Sequence, residues 1–495
     1  MRTLNKTFWA ALLLAMAGVS AAMAQQPDQG QQQPPPPDQS SAPIPAYHSP
    51  LASEAGNDDV TESQTIAPDN RSLTGAQYLS LGVPTTRSYW QPRLDIFGSA
   101  DSNPNETGTG TGSGSGSGNG SGWGTWFSVS GGVDVHRISG NSSLMLSDVS
   151  GGTLGDNGGS SGGFMEGLSV ADTLAFHRAS ITFFDQLEYL PSSAFGPGGA
   201  GGVGLSGGGT LGGGGSVFDP GQSVLLGRGQ NLGNTFTTDV DTYLTPRTSL
   251  TFIGGYSLEH YFDSHLLDYG DMIFRGGYNY QMTRKDTIAV SYTFSGYRYG
   301  NVHQSIDDHT MQVSYARRVT GRLSFQIAAG PQFVFAQSPI SVSGGGTTPG
   351  SISQVYWSLS TALQWQAGRN LLGFSYNHGV GGGAGVLPGS VADRFTGSVT
   401  RQVSRTFSSG ISTGYDRNQG TAIGATTSSN QTYDYWFVGG NLSHPIGRSL
   451  GLSLSYQLQY QNSNAAFCIG LTCGTSFTRN LISVGLGWHD RPLLF

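Results

Sequence analysis

The segment that most constrains the fold is Leu450–Tyr460, in which two kinds of residue alternate strictly. Every even position is Leu or Tyr, and every odd position is Gly, Ser or Gln. Successive side chains of a β-strand point to opposite faces, whereas a helix would scatter these leucines around its circumference. The segment therefore predicts a strand with one apolar face, about long enough to cross the hydrocarbon of a bilayer when tilted. A strand of a soluble sheet also alternates in this way, so the rest of the chain is needed to distinguish a membrane strand from a soluble one.

The same alternation recurs from residue 88 onward. The clearest further segments place these large apolar residues on one face: Ile288, Val290, Tyr292 and Phe294; Val355, Trp357, Leu359, Leu363 and Trp365; Ile482, Val484, Leu486 and Trp488. Their opposite faces carry mainly Ala, Ser, Thr, Gly and Gln. Aromatic residues lie near the ends of many segments, as in the girdles of membrane barrels. A soluble β-sandwich would rarely need so many strands in one run.

Short connections that contain an arginine form a second repeat, with successive arginines mostly about 40 residues apart. They lie at 137–140, 177–179, 246–248, 283–286, 320–322, 367–369, 404–406 and 447–449. Longer segments rich in Gly, Ser and Asn lie between them, at 101–122, 151–163, 190–231, 262–269, 299–307, 337–352, 380–391, 417–431 and 462–475. Eight short and nine long connections predict an antiparallel up-and-down barrel of eighteen strands, or sixteen if 164–189 holds one strand pair fewer. Short connections at one end of the strands and long ones at the other are typical of outer-membrane barrels.

The N-terminus predicts export. Met1–Ala24 has a charged start, an apolar stretch and an Ala-Met-Ala end before Gln25, which together are typical of a signal peptide. Residues 25–87 are rich in Pro and Gln, and we expect a disordered periplasmic extension, with a small plug or partner-binding tail as the alternative. In an oxidising compartment, Cys468 and Cys473 are expected to form a disulfide, because no further zinc ligands lie nearby.

Composition excludes other classes. Hydrophobic residues are 36% and charged residues 11% of the 495, and no apolar run of about eighteen residues exists, so a bundle of membrane helices is excluded. A net charge of −7 argues against a nucleic-acid partner.

The chain resembles bacterial outer-membrane β-barrel proteins of porin size over residues 88–495. The resemblance rests on the signal peptide, the alternating strands, the short and long connections and the terminal Phe495, although Arg491 and Pro492 interrupt the last strand. It implies a location in the bacterial outer membrane with both termini periplasmic, contact with lipid and lipopolysaccharide, and insertion by the barrel assembly machinery. It also implies a passive channel for small hydrophilic solutes, with homo-oligomerisation left open. The alternative is a non-transporting barrel whose loops serve adhesion, surface structure or partner binding.

Parity along the strands predicts which charged residues face the lumen: Asp134, His136, Asp239, Asp241, Glu259, Asp271, Arg275 and Arg394. These charges either tune the solute preference of a wet channel, or Asp239, Asp241, Glu259 and Arg275 form a structural ion-pair network. A barrel this wide is not filled by its own wall, so it is open or plugged, and the glycine-rich segment 190–231 is long enough to enter it.

No catalytic, metal or cofactor site is expected. Gly410-Ile-Ser412-Thr-Gly414 matches a hydrolase motif but lies within a predicted strand instead of on a strand–turn–helix elbow. Two neighbouring loops hold residues of metal-ligand type, but polar rim residues explain them without a metal. These residues are Glu259, His260, Asp263, His265, Asp268, His303, Asp307, Asp308 and His309.

Overall fold

The computed structural model describes residues 88–103, 123–156, 163–190, 230–262, 267–300, 304–342, 346–381, 389–404, 406–421, 432–447, 449–463 and 476–494. The predicted signal peptide, the extension at 25–87, the cysteine pair and nearly all of segment 190–231 lie outside these residues, so they stay predictions.

The described residues form strands joined by connections. The strands are β1 (Tyr89–Asp101), β2 (Gly124–Ser139), β3 (Ser142–Asp156), β4 (Phe164–Ala175), β5 (Ala179–Leu190), β6 (Asn231–Thr245), β7 (Thr248–Tyr261), β8 (Tyr269–Gln281), β9 (Asp286–Tyr299), β10 (Gln304–Thr320), β11 (Leu323–Val342), β12 (Gly346–Ala367), β13 (Asn370–Gly381), β14 (Ser390–Gln402), β15 (Ser408–Gly420), β16 (Thr432–Ile446), β17 (Leu450–Ser463), β18 (Phe477–His489) and the two-residue β19 (Leu493–Leu494). No helix of this part of the chain is long and apolar enough to cross a membrane.

The strands close into one antiparallel barrel. Each strand from β1 to β18 pairs with the next in the chain, and β18 pairs with β1 from Arg93–His489 to Asp101–Leu481. β4 and β5 are both present, so the eighteen-strand prediction is confirmed and the sixteen-strand alternative is wrong. The predicted interruption before the C-terminus is also present, because β18 ends at His489 and β19 resumes pairing with β1 beyond Pro492.

The two rims of the barrel differ as the sequence predicts. One rim, here called the turn rim, carries the eight short connections and both ends of the barrel; the other, the loop rim, carries the nine other connections. Gly140, Gly368 and Gly447 at the turn rim have φ angles of 59°, 63° and 78°, in the left-handed region that glycine adopts without steric cost.

The pleat divides the wall into an apolar outside and a polar inside. On β12, Val355 is 66% exposed on the outside, whereas Ser358 is buried on the inside. On β17, which begins at Leu450 as predicted, Leu452, Leu454 and Tyr456 are exposed on the outside. The closed sheet leaves no unpaired strand edge, and its outer belt is apolar. Both conditions are needed for a sheet to span a bilayer.

The outer belt is interrupted on β3–β5. Asp172 and Asp185 both face outward, because β4 and β5 alternate regularly and contain no bulge that would turn either side chain inward. Each accepts a hydrogen bond from a neighbouring side chain. Ser142 Oγ donates to Asp172 Oδ1 at 2.9 Å, and Asn234 Nδ2 donates to Asp185 Oδ1 at 2.9 Å. These donors lower the cost of a carboxylate on the outer face.

Several predicted long connections are shorter in the structure, and two of them are shortened most clearly. Residues 304–307 belong to β10, and β11 and β12 remain paired up to Val342–Gly346. The glycine and serine composition suggested a loop there, but backbone hydrogen bonds between antiparallel strands do not require apolar side chains.

Candidate functional site

The inner face of the barrel carries the charged residues that parity predicts. Asp134, His136, Asp239, Asp241, Glu259, Asp271, Arg275 and Arg394 share the inward positions of their strands with buried Ser, Thr and Asn residues. His136 Nε2 lies 3.1 Å from Ser143 Oγ, and its ring centroid is 5.7 Å from that of Tyr89.

Carboxylates on β5–β8 form a track along the inner wall. At its loop-rim end, Glu188 and Glu259 flank Gly233 in one row of the sheet. Glu259 Oε2 leans over Gly233, 3.0 Å from where a Cβ would lie, so the missing side chain makes room for it.

Further acids continue the track toward the turn rim. Asp271 pairs with Ser257, and Asp239 and Arg275 flank Ile253 in one row. Asp241 lies in the next inward row and accepts a hydrogen bond from Thr251 Oγ1 at 2.6 Å. From the row of Gly233 to that of Asp241 is about 27 Å, since a strand rises about 3.4 Å per residue. We call Glu188, Glu259, Asp271, Asp239 and Asp241 the acidic track.

The expected network of Asp239, Asp241, Glu259 and Arg275 is therefore only partly brought together. Asp239 and Arg275 lie in one row, but Glu259 is six residues further along β7 from that row, about 20 Å away. Arg275 Nε donates to Thr293 Oγ1 at 3.0 Å. Strand parity placed all four inside the barrel but carried no information on their heights, which depend on register.

Other inward charges form ion pairs that were not predicted. Arg394 Nε lies 3.0 Å from Asp416 Oδ2, and Arg479 Nε lies 2.7 Å from Asp101 Oδ2. Arg93 Nη1 lies 3.5 Å from Asp134 Oδ2, and Ser147 Oγ bridges the same two side chains.

The signal for these partners was present in the sequence. Ile482 and Val484 face outward, so Arg479 had to face inward by the same parity. The same argument identifies the remaining inward charges that the sequence reasoning missed: Arg93, Asp95, Asp101, Glu188, Asp308, Arg318 and Asp416.

The loop-rim end of the β13–β14 hairpin separates from β12 and turns across the inside of the barrel, while β14 stays paired with β15 up to Ser390–Gly420. Pairing of β12 with β13 stops at Leu359–His378, while β13 and β14 stay paired up to Gly381–Ser390. Gln332 on the inner face of β11 then binds the hairpin backbone, accepting from Val380 N at 2.9 Å and donating to Val380 O at 3.2 Å. Because β11 is not a sheet neighbour of β13, the hairpin end lies across the inside of β11.

Apolar packing holds the hairpin end in this position. Val380 belongs to a buried cluster with these inward-facing side chains of β8–β11: Tyr269, Tyr297, Tyr299, Ile306, Val334 and Ala336. Val391 and Tyr356 pack against the cluster. At Gly389 a side chain would clash with Ile306 Cδ1, and the φ angle of 82° also favours glycine. Among the described residues, the end of this hairpin lies inside the barrel. The segment predicted to be long enough to enter the lumen, 190–231, lies almost wholly outside the described residues and stays a prediction.

A polar cluster on the outside marks the point where the hairpin separates from β12. Asp393 Oδ1 accepts hydrogen bonds from Tyr376 Oη at 2.8 Å and from His378 Nδ1, in the tautomer that donates there, at 2.7 Å. The His378 ring stacks on Trp357 at a centroid distance of 3.8 Å. These contacts tie β12, β13 and β14 together at the branch.

Accessibility of the inner face changes along the barrel. Toward the loop rim, Ser390 and Gln459 have no exposed surface. Toward the turn rim, the inward side chains of Ser398, Thr400 and Gln402 on β14 are exposed. The inward side chains are therefore more accessible toward the turn rim of β14 than near the loop rim.

The described residues of metal-ligand type do not form one group. Asp307 and His309 face outward and Asp308 inward, as alternation on β10 requires. His260 Nδ1 pairs with Asp268 Oδ2 at 2.8 Å, while Asp263, His265 and His303 lie outside the described residues. Within the residues that the structure describes, no three His, Cys, Asp or Glu side chains are arranged to hold a metal ion. Ser412 of the hydrolase-like motif lies within β15, as predicted.

Fold and inner surface together define a porin-sized barrel of the outer-membrane type, closed, apolar outside and polar inside. No protein-family model and no curated protein matches the sequence. Solved structures similar to it include OpdL from Pseudomonas aeruginosa, with 10% identity, a TM-score of 0.40, and coverage of 82% of this chain and 99% of that chain. OccAB1 from Acinetobacter baumannii has 10% identity and a TM-score of 0.40, with 82% and 97% covered. A BenF-like porin from Pseudomonas fluorescens has 10% identity and a TM-score of 0.39, with 82% and 99% covered.

Proposed function

We propose that this chain is a passive outer-membrane channel for small hydrophilic solutes. The observation that carries the proposal is the mainly polar inner face of a closed eighteen-strand barrel. A sheet of this many strands encloses more space than its own wall side chains fill. Solutes that can exchange hydration water for Ser, Thr, Asn and Gln side chains would cross such a lumen without a chemical step.

The β13–β14 hairpin sets the width of the channel in this proposal. It occupies the lumen on the loop-rim side and is held from inside the wall by Gln332 and the Val380 cluster. A solute then passes between the loop-rim end of this hairpin and the strands that face it across the lumen, so transport falls as solute size increases.

The cellular setting belongs to the same proposal. Export by a signal peptide, insertion by the barrel assembly machinery and a belt of outer-membrane lipid with lipopolysaccharide outside would place the turn rim and both termini in the periplasm. Neither catalysis nor a cofactor is part of this function.

A non-transporting surface barrel is the second candidate. It is favoured by the burial of inward side chains near the loop rim, where Asp101, Ser390 and Gln459 have no exposed surface. In that case the polar interior is packing, and the loops carry adhesion, structure or partner binding.

Liposome swelling separates the two candidates. The purified, folded protein is reconstituted into dextran-loaded vesicles, which are diluted into isotonic sugars of increasing size, with protein-free vesicles as the control. A channel gives swelling that slows as the sugar becomes larger. Vesicles that contain folded barrel but swell no faster than the control would contradict transport.

A further inference from the structure

We infer that Asp308 positions the end of the β13–β14 hairpin through the side-chain amide of Gln332, and that its ionised carboxylate holds the hairpin more firmly than the neutral acid. The inference adds a positioning residue and a pH dependence to the element that narrows the lumen. Its consequence for transport rests on the proposed channel function, whereas the hold on the hairpin does not.

Gln332 is the side chain that joins the inner wall to the hairpin. Its Oε1 accepts from Val380 N at 2.9 Å, and its Nε2 donates to Val380 O at 3.2 Å. The other N–H of the same Nε2 donates to Asp308 Oδ2 at 2.8 Å. A Cβ at Gly379 would lie 3.3 Å from Oε1, so the glycine leaves room for the amide beside the hairpin backbone. The amide is therefore bonded to the hairpin on one side and to Asp308 on the other.

These three hydrogen bonds fit only one orientation of the Gln332 amide. If the amide were turned over, its NH₂ group would face the N–H of Val380, and its oxygen would face the Val380 carbonyl oxygen. A carboxylate only accepts hydrogen bonds, so Asp308 requires the NH₂ group on its own side. The orientation that Asp308 requires is the one that binds both backbone groups of Val380.

Ionisation of Asp308 strengthens this hold. A hydrogen bond to a carboxylate is roughly twice as strong as one to a neutral acceptor. When the carboxyl group takes up a proton, one oxygen still accepts from Gln332, but it no longer carries the charge, and the protonated oxygen donates instead. The required orientation of the amide is then less strongly favoured, and the hairpin is held less firmly.

The polar groups of this arrangement are buried. Asp308 is 4% and Gln332 is 3% exposed. Thr310 Oγ1 lies within hydrogen-bonding distance of both carboxylate oxygens, at 3.3 and 3.2 Å. Because water has little access to replace a lost partner here, removing the acceptor of Gln332 should disturb the amide instead of being masked by solvent.

Other titratable groups lie on the elements packed around Asp308. On β10, Asp307 and His309 point outward, as do His378 and Asp393 on the hairpin, and β11 contains no titratable residue. Arg275 Nε donates to Thr293 Oγ1, and Arg394 pairs with Asp416. The remaining inward groups are Tyr269, Asp271, Tyr297, Tyr299 and Tyr356. A pH experiment therefore needs a control that lacks only the carboxyl group of Asp308.

The test measures amide hydrogen exchange at the hairpin in the folded full-length barrel in detergent, which requires no transport. The peptide that contains Val380 is followed by mass spectrometry at about pH 8, where a carboxyl group is ordinarily ionised, and is normalised to the same peptide in the unfolded chain. Asp308→Leu keeps the shape of the side chain but accepts no hydrogen bond, and it should raise the exchange rate about tenfold or more. Asp308→Asn keeps a neutral acceptor and should give a smaller increase.

Thr310→Val is the matched control. It removes the other donor to the same carboxylate with little change of shape and leaves Gln332 its acceptor, so it should keep the wild-type rate. An exchange rate in Asp308→Leu equal to that of the wild type would overturn the positioning role. Equal acceleration in Asp308→Leu and Thr310→Val would also overturn it, because any change at this buried place would then have the same effect.

Lowering the pH tests the role of the charge and needs no disruptive variant. Between about pH 8 and about pH 4, the normalised exchange of the wild type should rise to the level of Asp308→Asn, which should itself stay constant. The other carboxyl and imidazole groups are the same in both proteins. A wild type that does not respond, or a response that persists in Asp308→Asn, would overturn the role of the Asp308 charge.

Planar-bilayer currents separate this inference from the channel function. In the proposed channel, Asp308→Leu should give larger and noisier currents than the wild type, and Thr310→Val should not. A folded barrel that shows the expected exchange differences but carries no current would contradict the channel proposal and support the positioning role of Asp308.

Discussion

Arg479 on β18 and Asp101 on β1 join the two ends of the barrel sheet. Nε of Arg479 lies 2.7 Å from Oδ2 of Asp101, across 378 residues of sequence, and the two side chains are 2% and 0% exposed. In the adjoining inward row, Ser99 Oγ donates to Ser483 Oγ at 2.8 Å. The seam that closes the barrel thus has its own buried polar contacts in addition to the backbone ladder.

Breaking this pair from one side should destabilise the barrel. Asp101→Asn leaves the buried guanidinium without its carboxylate, and loss of one partner of a buried ion pair typically costs about 3–5 kcal/mol. We expect the change from folded to unfolded migration in gel electrophoresis to occur after the sample is heated to a lower temperature than the wild type requires. Arg479→Gln combined with Asp101→Asn should recover part of the loss, and a single variant as stable as the wild type would contradict the role of the pair.

The two faces of β17 provide a direct check of which side meets lipid. Leu454→Arg places a charge on the outer face, where an arginine at midplane costs about 2–4 kcal/mol. Ser455→Arg places the same charge on the inner face. Assembly into detergent micelles or lipid vesicles should be impaired for Leu454→Arg and retained for Ser455→Arg. Equal assembly of both variants would show that the assigned faces are wrong.

The lumenal hairpin should loosen when its polar anchor is removed. Gln332→Ala deletes both hydrogen bonds to Val380, each worth about 1 kcal/mol, while the apolar cluster remains. We expect larger and noisier channel currents in planar bilayers. Gln364→Ala, an inward glutamine on β12 below the branch, serves as the control, and identical currents in all three proteins would exclude the hairpin as the narrowing element.

Removing an outward acid should stabilise the barrel, in contrast to removing the buried Asp101. Replacing Asp185 and Asn234 together by leucine removes a polar pair from the outer belt and should raise the free energy of unfolding by about 1–2 kcal/mol. Asp185→Leu alone leaves the Asn234 amide without that acceptor, so it should gain less. A double variant less stable than the wild type would indicate that another protein surface covers this face.

Much of the fold was predictable from periodicity, because a strand that separates lipid from water must alternate residue by residue. The alternation in Leu450–Tyr460 predicted where β17 begins and which side chains lie on each of its faces. The order of short, arginine-containing connections and long connections predicted eighteen strands. Periodicity left the strand pair in 164–189 open, because the outward Asp172 and Asp185 interrupt its apolar face. Their hydrogen-bond donors, Ser142 and Asn234, lie on neighbouring strands, 30 and 49 residues away in the sequence.

The site was less predictable, because it depends on register and on departures from the regular wall. Parity placed Arg394 inside the barrel, but only the pairing of β14 with β15 brings it to Asp416. The inward path of the β13–β14 hairpin has no alternation signal, since it depends on Gln332 reaching the backbone of Val380, 48 residues away. Gly389 was visible as a glycine, but the side chain of Ile306 that excludes larger residues there was not.

Single-channel recording tests the central claim most directly. The purified protein, shown to be folded by its heat-dependent migration, is added to a planar bilayer in 1 M KCl. A passive channel should give stepwise current increments that are nearly linear in voltage. A folded, bilayer-inserted barrel that gives no current at any applied voltage would contradict the account and leave the surface-barrel function.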